Sequence, residues 1–332
     1  MRIAVLSPSG RAAALFPAVY ELGIARLREL GHEPVEFPTT LAPVASPAER
    51  ARDVEAAFAD PEIDAVLATI GGDDQIKVLP LLDPEILRAN PKPFFGYSDN
   101  TNLHVFLWNL DIRSFYGGSV MVQLGRPSGM HPLSRESFEA ALVGGEFELT
   151  PPEQFGDEEV SDWGSFDPDA QPEMQWAEPW SWHGPAERVE GQAWGGCLEI
   201  VDFHLRADRW LLSPEAYAGS VLFLETSEEL PDDEYVYRVL LGMGERGLLQ
   251  QFAAVVWGRP KAWSFESPNS PQQKKAYTDA QRDAVLRALA EYHPGVPLVF
   301  GVDFGHTDPQ YVIPYGGRIV VDGVERRLTA TY

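Results

Sequence analysis

The chain has 332 residues, 50 acidic against 26 basic side chains, a formal charge of −24 and a single cysteine, Cys197. That length suggests about two domains at ~100–200 residues each, and 11% aromatic residues supply enough burial to exclude disorder. The acidic surplus excludes nucleic acid and anionic membrane surfaces as main partners.

The opening run, residues 1–6, is apolar but too short for a secretory signal and is interrupted at Pro8. No stretch approaches the ~18–20 apolar residues of a membrane span. A cytoplasmic location is expected, which a lone cysteine fits. Residues 3–6 read as a buried strand ending at Ser7-Pro8-Ser9-Gly10. Phe16, Tyr20, Ile24, Leu27 and Leu30 then recur at helical spacing, with Gly31 at the C-cap position. A second helix at 47–58 leads into a strand at 65–70 closed by Gly71-Gly72, and Phe94-Phe95-Gly96-Tyr97 is a third strand. Leu103, Phe106, Leu107 and Leu110 mark the helix after it. Alternating strands and helices imply a parallel sheet covered on both faces.

Residues 126–190 carry Pro, Gly and acidic residues with little apolar periodicity, and five of the nine tryptophans lie in or just beyond them. They read as a long loop, pinned by its tryptophans or carrying function. Strand candidates follow at 221–224, 253–257 and 297–302, with a helix at 276–292. The expected fold is α/β: an N-terminal doubly wound, flavodoxin-like or class I amidotransferase-like parallel-sheet domain over 1–155, a Trp-rich connecting loop over 156–190, and a smaller C-terminal α/β domain over 191–332.

The sharpest local feature is Phe94-Phe95-Gly96-Tyr97-Ser98-Asp99-Asn100-Thr101, a strand running through Gly-x-Ser-x-Asn into a helix. That is the setting of a nucleophile elbow, in which a tight turn projects a serine hydroxyl beside free backbone N–H groups. Asn100 departs from the usual second glycine, and Ser98 could equally cap the helix. Thr69-Ile70-Gly71-Gly72-Asp73-Asp74 lies at another strand's carboxyl end, where ligands of open parallel sheets bind. It reads as a close backbone approach, a solvated turn, or the Gly-Gly-Asp of an ATP-dependent kinase.

A serine nucleophile needs a base and an orienting acid. Of seven histidines, His306 sits in Gly301-Val302-Asp303-Phe304-Gly305-His306-Thr307-Asp308 just past an apolar strand, where α/β enzymes place catalytic loops. His104, six residues after Ser98, points to another face of its helix. Glu225 ends the strand at 221–224 and opens the run Glu225-Thr226-Ser227-Glu228-Glu229, which reads as an orienting acid or a solvated charge run.

With Ser98, Glu225 and His306 in this order at strand ends, the sequence resembles the LD-carboxypeptidase family of serine peptidases, nearest its microcin C immunity branch. The matching pieces are Ser7-Pro8-Ser9, Gly71-Gly72-Asp73-Asp74-Gln75, Lys92 through Thr101, Gly195-Gly196-Cys197-Leu198-Glu199, Leu224-Glu225-Thr226 and Gly305-His306. The resemblance implies Ser98 as nucleophile, His306 as general base, Glu225 as its orienting acid, and the backbone N–H groups of Gly72 and Asp99 as the oxyanion hole. It implies a two-domain homodimer with no metal or organic cofactor.

The substrate would be small and peptidic or nucleotide-peptidic, met by Gly71, Asp73 and the segment of Cys197, where relatives often carry asparagine. Trp180 or Trp182 is expected to stack on an adenine ring. The reaction expected from that branch is hydrolysis of an aminoacyl or peptidyl adenylate amide, with cleavage of a murein tetrapeptide as the alternative. A kinase and a non-catalytic ligand-binding protein stand as readings from other classes.

Overall fold

A computed structural model describes residues 1–158 and 163–332. Strands β1 (Arg2–Leu6), β2 (Glu33–Glu36), β3 (Ala65–Ala68), β4 (Phe94–Gly96) and β5 (Ser114–Tyr116) lie in the order β2-β1-β3-β4-β5, every neighbouring pair parallel. This is the flavodoxin-like order of a doubly wound sheet. Alternate residues feed opposite faces. Ile3, Val5, Ala65 and Leu67 meet Val19, Tyr20, Ile24 and Leu27 of the helix Pro17–Glu29. Ala4, Leu6, Val66 and Ala68 meet Val54, Phe58, Leu103 and Phe106 of the helices Pro47–Ala59 and Thr101–Trp108.

Helix starts follow their local chemistry. Ser46 accepts from the Glu49 N–H at 3.3 Å while the Glu49 carboxylate accepts from the Ser46 N–H at 2.8 Å, and Ser270 and Gln273 form the same reciprocal cap before Pro271–Tyr292. Such caps typically stabilise a helix by ~1 kcal/mol.

The stretch expected to be irregular is more ordered than its composition suggests. It holds the helix Pro132–Val143 and the short strands β6 (Glu146–Leu149), β7 (Gln154–Phe155) and β8 (Gln175–Trp176). The helix escaped periodicity because its buried face is Ser134, Ser137, Phe138 and Ala141, with one large apolar side chain. The hydroxyls of Ser134 and Ser137 accept from the backbone N–H groups of Gln310 and Val312 instead.

Strand β9 (Ser181–His183) is an antiparallel edge to a second parallel set, β10 (Arg188–Cys197), β11 (Val221–Glu225), β12 (Ala254–Gly258) and β13 (Leu298–Val302). Strand β14 (Ile313–Tyr315) joins the halves, pairing antiparallel with β5 and parallel with β10. Strands β15 (Arg318–Asp322) and β16 (Arg327–Thr331) close back over β10 and β6. Among the described residues the sheet therefore runs from β2 to β9 without a break, and one apolar cluster spans both halves through Phe95, Tyr116, Phe223 and Tyr315. Among the described residues no helix is long and apolar enough to cross a membrane.

Candidate active site

Ser98 leaves β4 on a short 3₁₀ turn, Ser98–Asn100, that runs directly into the helix Thr101–Trp108. Its φ is +62°, in the left-handed region. A non-glycine residue held there costs roughly 1–3 kcal/mol and persists only where its surroundings over-determine it. Here they do. Thr101 Oγ1 donates to the Ser98 carbonyl at 2.7 Å. The Asn100 amide donates to the carbonyls of Tyr97 at 3.0 Å and Ile70 at 3.1 Å, while its oxygen accepts from Gln75 Nε2 at 2.9 Å and Ser9 Oγ at 3.2 Å. Asn100 therefore clamps the serine turn to the Gly71-Gly72 loop, which accounts for the departure from a second glycine. The Ser98 side chain caps neither helical segment.

The two loops touch through glycine. A Cβ on Gly71 would lie 2.9 Å from Ser98 Cβ, closer than real side chains come, and 3.1 Å from its Oγ, with the Asp99 nitrogen at 3.5 Å. Beneath them Asp99 is fully buried and accepts from the Gln75 N–H at 2.9 Å and from Asn102 Nδ2 at 2.8 Å. Burial raises its pKa to about 6, partly offset by the Gln75 bond. Asp74 turns away to an ion pair with Arg50 at 2.8 Å, and Arg50 donates onward to the carbonyls of Pro8 and Ser9. Asp73 stays exposed at the rim.

Glu225 ends β11 with no exposed surface, so the acidic run it opens is not solvated at its first residue. Its Oε2 lies 2.7 Å from His306 Nδ1, and its Oε1 accepts from the Tyr116 hydroxyl at 2.5 Å. Gly305, at φ +94°, lets the histidine loop pack directly against this carboxylate. The His306 ring edge meets Tyr97 at 5.0 Å, and Nε2 lies 3.1 Å from Glu228 Oε2 with no hydrogen bond, to Ser98 or otherwise, among the described residues. Burial opposes protonation of His306, but the charges of Glu225 and Glu228 outweigh it and hold the pKa at about 9. Arg126 Nε, 2.8 Å from Asp308 Oδ2, ties this loop to the N-terminal half.

Ser98, His306, Gly71, Gly72 and Asp73 line one cavity of about 580 Å³. Its aromatic wall is Trp163 and Phe166, with Phe16 edge-on to Trp163 at 5.6 Å. Trp180 and Trp182 do not line it. Trp180 is buried with its indole N–H on Asp303 at 2.7 Å, and Trp182 sits opposite Val299 on the edge strand β9. Cys197 is absent from the lining as well. It pairs in register with Glu225, is buried, and donates its thiol to Glu199 at 3.3 Å, while burial pushes its pKa well up. A thiol so placed is inert.

His104 is likewise structural. It lies between Ser114 Oγ at 2.7 Å and the Gly96 carbonyl at 2.9 Å, with burial lowering its pKa to about 3. Sequence reasoning missed Trp163, Phe166, Tyr116 and Glu228. Trp163 was visible as one of the loop tryptophans, whereas nothing local to Tyr116 marks its contact with Glu225, 109 positions away.

Two family models cover the chain: the LD-carboxypeptidase N-terminal domain matches residues 3–117 and the C-terminal domain residues 190–321. The chain belongs to the LD-carboxypeptidase family of serine peptidases. It is 26% identical to the microcin C7 self-immunity protein MccF of Escherichia coli over 289 residues, which is 85% of this chain and 78% of that protein. It is 25% identical to the "Probable murein peptide carboxypeptidase" of Bacillus subtilis over 84% of this chain and 75% of the relative. An MccF-like protein of Streptococcus pneumoniae, solved in complex with AMP, superposes with a TM-score of 0.87 at 25% identity, covering 100% of this chain and 98% of the other. The family places the chain among the serine-type carboxypeptidases.

Proposed function

We propose that this LD-carboxypeptidase family member hydrolyses an amide through Ser98, His306 and Glu225, most readily that joining an aminoacyl or peptidyl group to a nucleotide. The observation that carries the reading is the bonded Glu225–His306 pair and the strained Ser98 turn opening onto one cavity from opposite halves of the sheet. Glu225 accepts from Nδ1–H, so that Nε2 is the basic nitrogen once the ring is neutral. Ser98 Oγ attacks the amide carbonyl, its proton passes to Nε2 and then to the leaving nitrogen, and water repeats the cycle on the acyl-enzyme. The backbone N–H groups of Gly72 and Asp99 receive the oxyanion, a contribution worth ~10²–10³ in rate per donor.

In the free protein His306 is held charged at neutral pH and Glu228 lies at its Nε2. Only the neutral ring accepts a proton, so kcat/KM rises with pH toward 9. Trp163 and Phe166 offer a face on which a base can stack, and the solution of the Streptococcus pneumoniae relative in complex with AMP supports a nucleotide-bearing substrate. A second reading, a murein tetrapeptide, is favoured by the acidic rim of Asp73, Glu228 and Glu229, which suits free ammonium groups. The reading includes a homodimer acting in the cytoplasm on a small peptidic or nucleotide-peptidic substrate.

Incubating the protein with an aminoacyl sulfamoyl adenosine and with a murein tetrapeptide, and resolving the products by mass spectrometry, tests it. Preferential cleavage of the first is expected. Preferential loss of the terminal D-alanine from the second would move the assignment to murein.

A further inference from the structure

Tyr116 ends β5, the last strand of the N-terminal half, pairing with Gly96 of β4 on one side and Ile313 of the joining strand β14 on the other. Its ring is fully buried, 5.3 Å from Phe223 and 5.6 Å from His104, and Gly196 leaves it room, since a Cβ there would lie 3.1 Å from the ring. Its hydroxyl makes two bonds. It donates to Glu225 Oε1 at 2.5 Å and accepts from the Ser98 backbone N–H at 3.2 Å. One oxygen thus touches both the nucleophile's turn and the acid that orients the base, although those lie in different halves of the molecule.

Both bonds have a physical reason to matter. Glu225 is wholly buried and spends Oε2 on His306, so without the hydroxyl Oε1 would face an aromatic ring, and a buried carboxylate oxygen without a partner is costly. Ser98, turned to positive φ, directs its amide at this oxygen. Burial and the Glu225 charge push the phenol's pKa well up, so the group remains a donor across the working range.

We infer that Tyr116 is a positioning residue of the active site, a hydroxyl bridge that holds the Glu225 carboxylate and the Ser98 turn in register across the seam between the two halves. The inference rests on the proposed roles of Ser98, Glu225 and His306. The bridge takes part of the Glu225 charge. When His306 loses its proton, the carboxylate is left without its cationic partner, and the Tyr116 bond then stabilises it most. Removing the hydroxyl therefore makes deprotonation of His306 harder and moves its titration to higher pH. The groups facing His306 are Glu225, Glu228 and, further off, Glu199, with the Tyr97 ring against its edge, and all four remain in the variant.

The test compares Tyr116→Phe with Tyr315→Phe and Ser98→Ala. Tyr315 is equally buried and stacks on His104 at 5.2 Å, but its hydroxyl bonds to neither Glu225 nor Ser98. His306 is titrated by NMR in the folded protein, with no substrate needed, and kcat and KM are measured on aspartyl sulfamoyl adenosine and on a murein tetrapeptide.

Tyr116→Phe is expected to raise the His306 titration midpoint and to lower kcat by roughly ten- to a hundredfold, the range for losing a hydrogen bond to a charged group, with KM within about twofold. Tyr315→Phe should change neither. An unshifted midpoint in a folded Tyr116→Phe variant would overturn the inference, as would an equal shift in Tyr315→Phe. Full activity in Ser98→Ala would instead overturn the reaction on which the inference rests. Should Tyr116→Phe fail to fold, 3-fluorotyrosine in place of Tyr116 keeps shape and hydroxyl while strengthening the donor. It should lower the midpoint, and no change there would equally overturn the inference.

Discussion

On the Ser98 side of the cleft, position is held mainly by steric and neutral contacts, the positive-φ turn, the four bonds of Asn100 and the Gly71 approach that leaves no space for a methyl group, with the buried Asp99 carboxylate and the Arg50–Asp74 pair beneath the loops. On the His306 side it is held by charge: Glu225 at Nδ1, Glu228 at Nε2, and an imidazole whose pKa is lifted to about 9. The contrast separates two tasks of a hydrolase. A nucleophile and its oxyanion donors must sit at fixed places, which sterics enforce independently of pH. A general base must change protonation state, which only electrostatics can tune. Substitutions on the two sides should therefore fail differently, the first in rate at every pH and the second in the pH profile.

The largest effect is expected from Glu225→Gln, which keeps shape but lets the amide favour the wrong imidazole tautomer. Steady-state kinetics should show kcat down by ~10³–10⁴ with KM little changed. A loss under tenfold would place the orienting function elsewhere. Gly71→Ala comes next. Its methyl would sit 2.9 Å from Ser98 Cβ, and a displacement of ~1 Å near the reacting atoms can cost about a hundredfold in rate. The loss should be the same across pH, with the His306 titration by NMR unmoved. A changed titration would break the proposed separation of the two sides.

Glu228→Gln should act the opposite way. Removing one of the two charges that raise the His306 pKa moves the acid limb of kcat/KM to lower pH and increases activity at neutrality, leaving the high-pH plateau within a few-fold. The smallest effects separate the tryptophans. Trp163→Ala should raise KM for a nucleotide-bearing substrate several-fold, by loss of stacking of about 1 kcal/mol, whereas Trp182→Ala should leave kinetics within twofold. Equal effects would return the aromatic wall to the edge strand.

What the sequence disclosed follows the same division. The turns after β3 and β4 were legible because backbone demands leave local marks, Gly71-Gly72 and Gly96-x-Ser98, and because the buried parallel strands read as unbroken apolar runs. Glu225 and His306 were legible as strand-end residues, but the burial of Glu225 was not, since a following acidic run looks solvated until β10, β12 and Gly305 close over it. The choice among tryptophans failed for a related reason. Trp180 and Trp182 share a motif, yet Trp182 is held away from the cavity by pairing with Val299 of β13, 117 positions away, and Trp180 by its bond to Asp303. The helix Pro132–Val143 was hidden because serines bonded to the backbone replace apolar residues on its inner face.

The central proposal is that Ser98 acts as nucleophile with its partners contributed from the other half of the sheet. Its most direct test is the turnover of Ser98→Ala against the native chain on aminoacyl sulfamoyl adenosine and murein tetrapeptide, with folding verified by the unchanged NMR titration of His306. Hydrolysis is expected to fall at least a thousandfold, with the titration midpoint retained. Native-level hydrolysis by the folded variant would contradict the proposal.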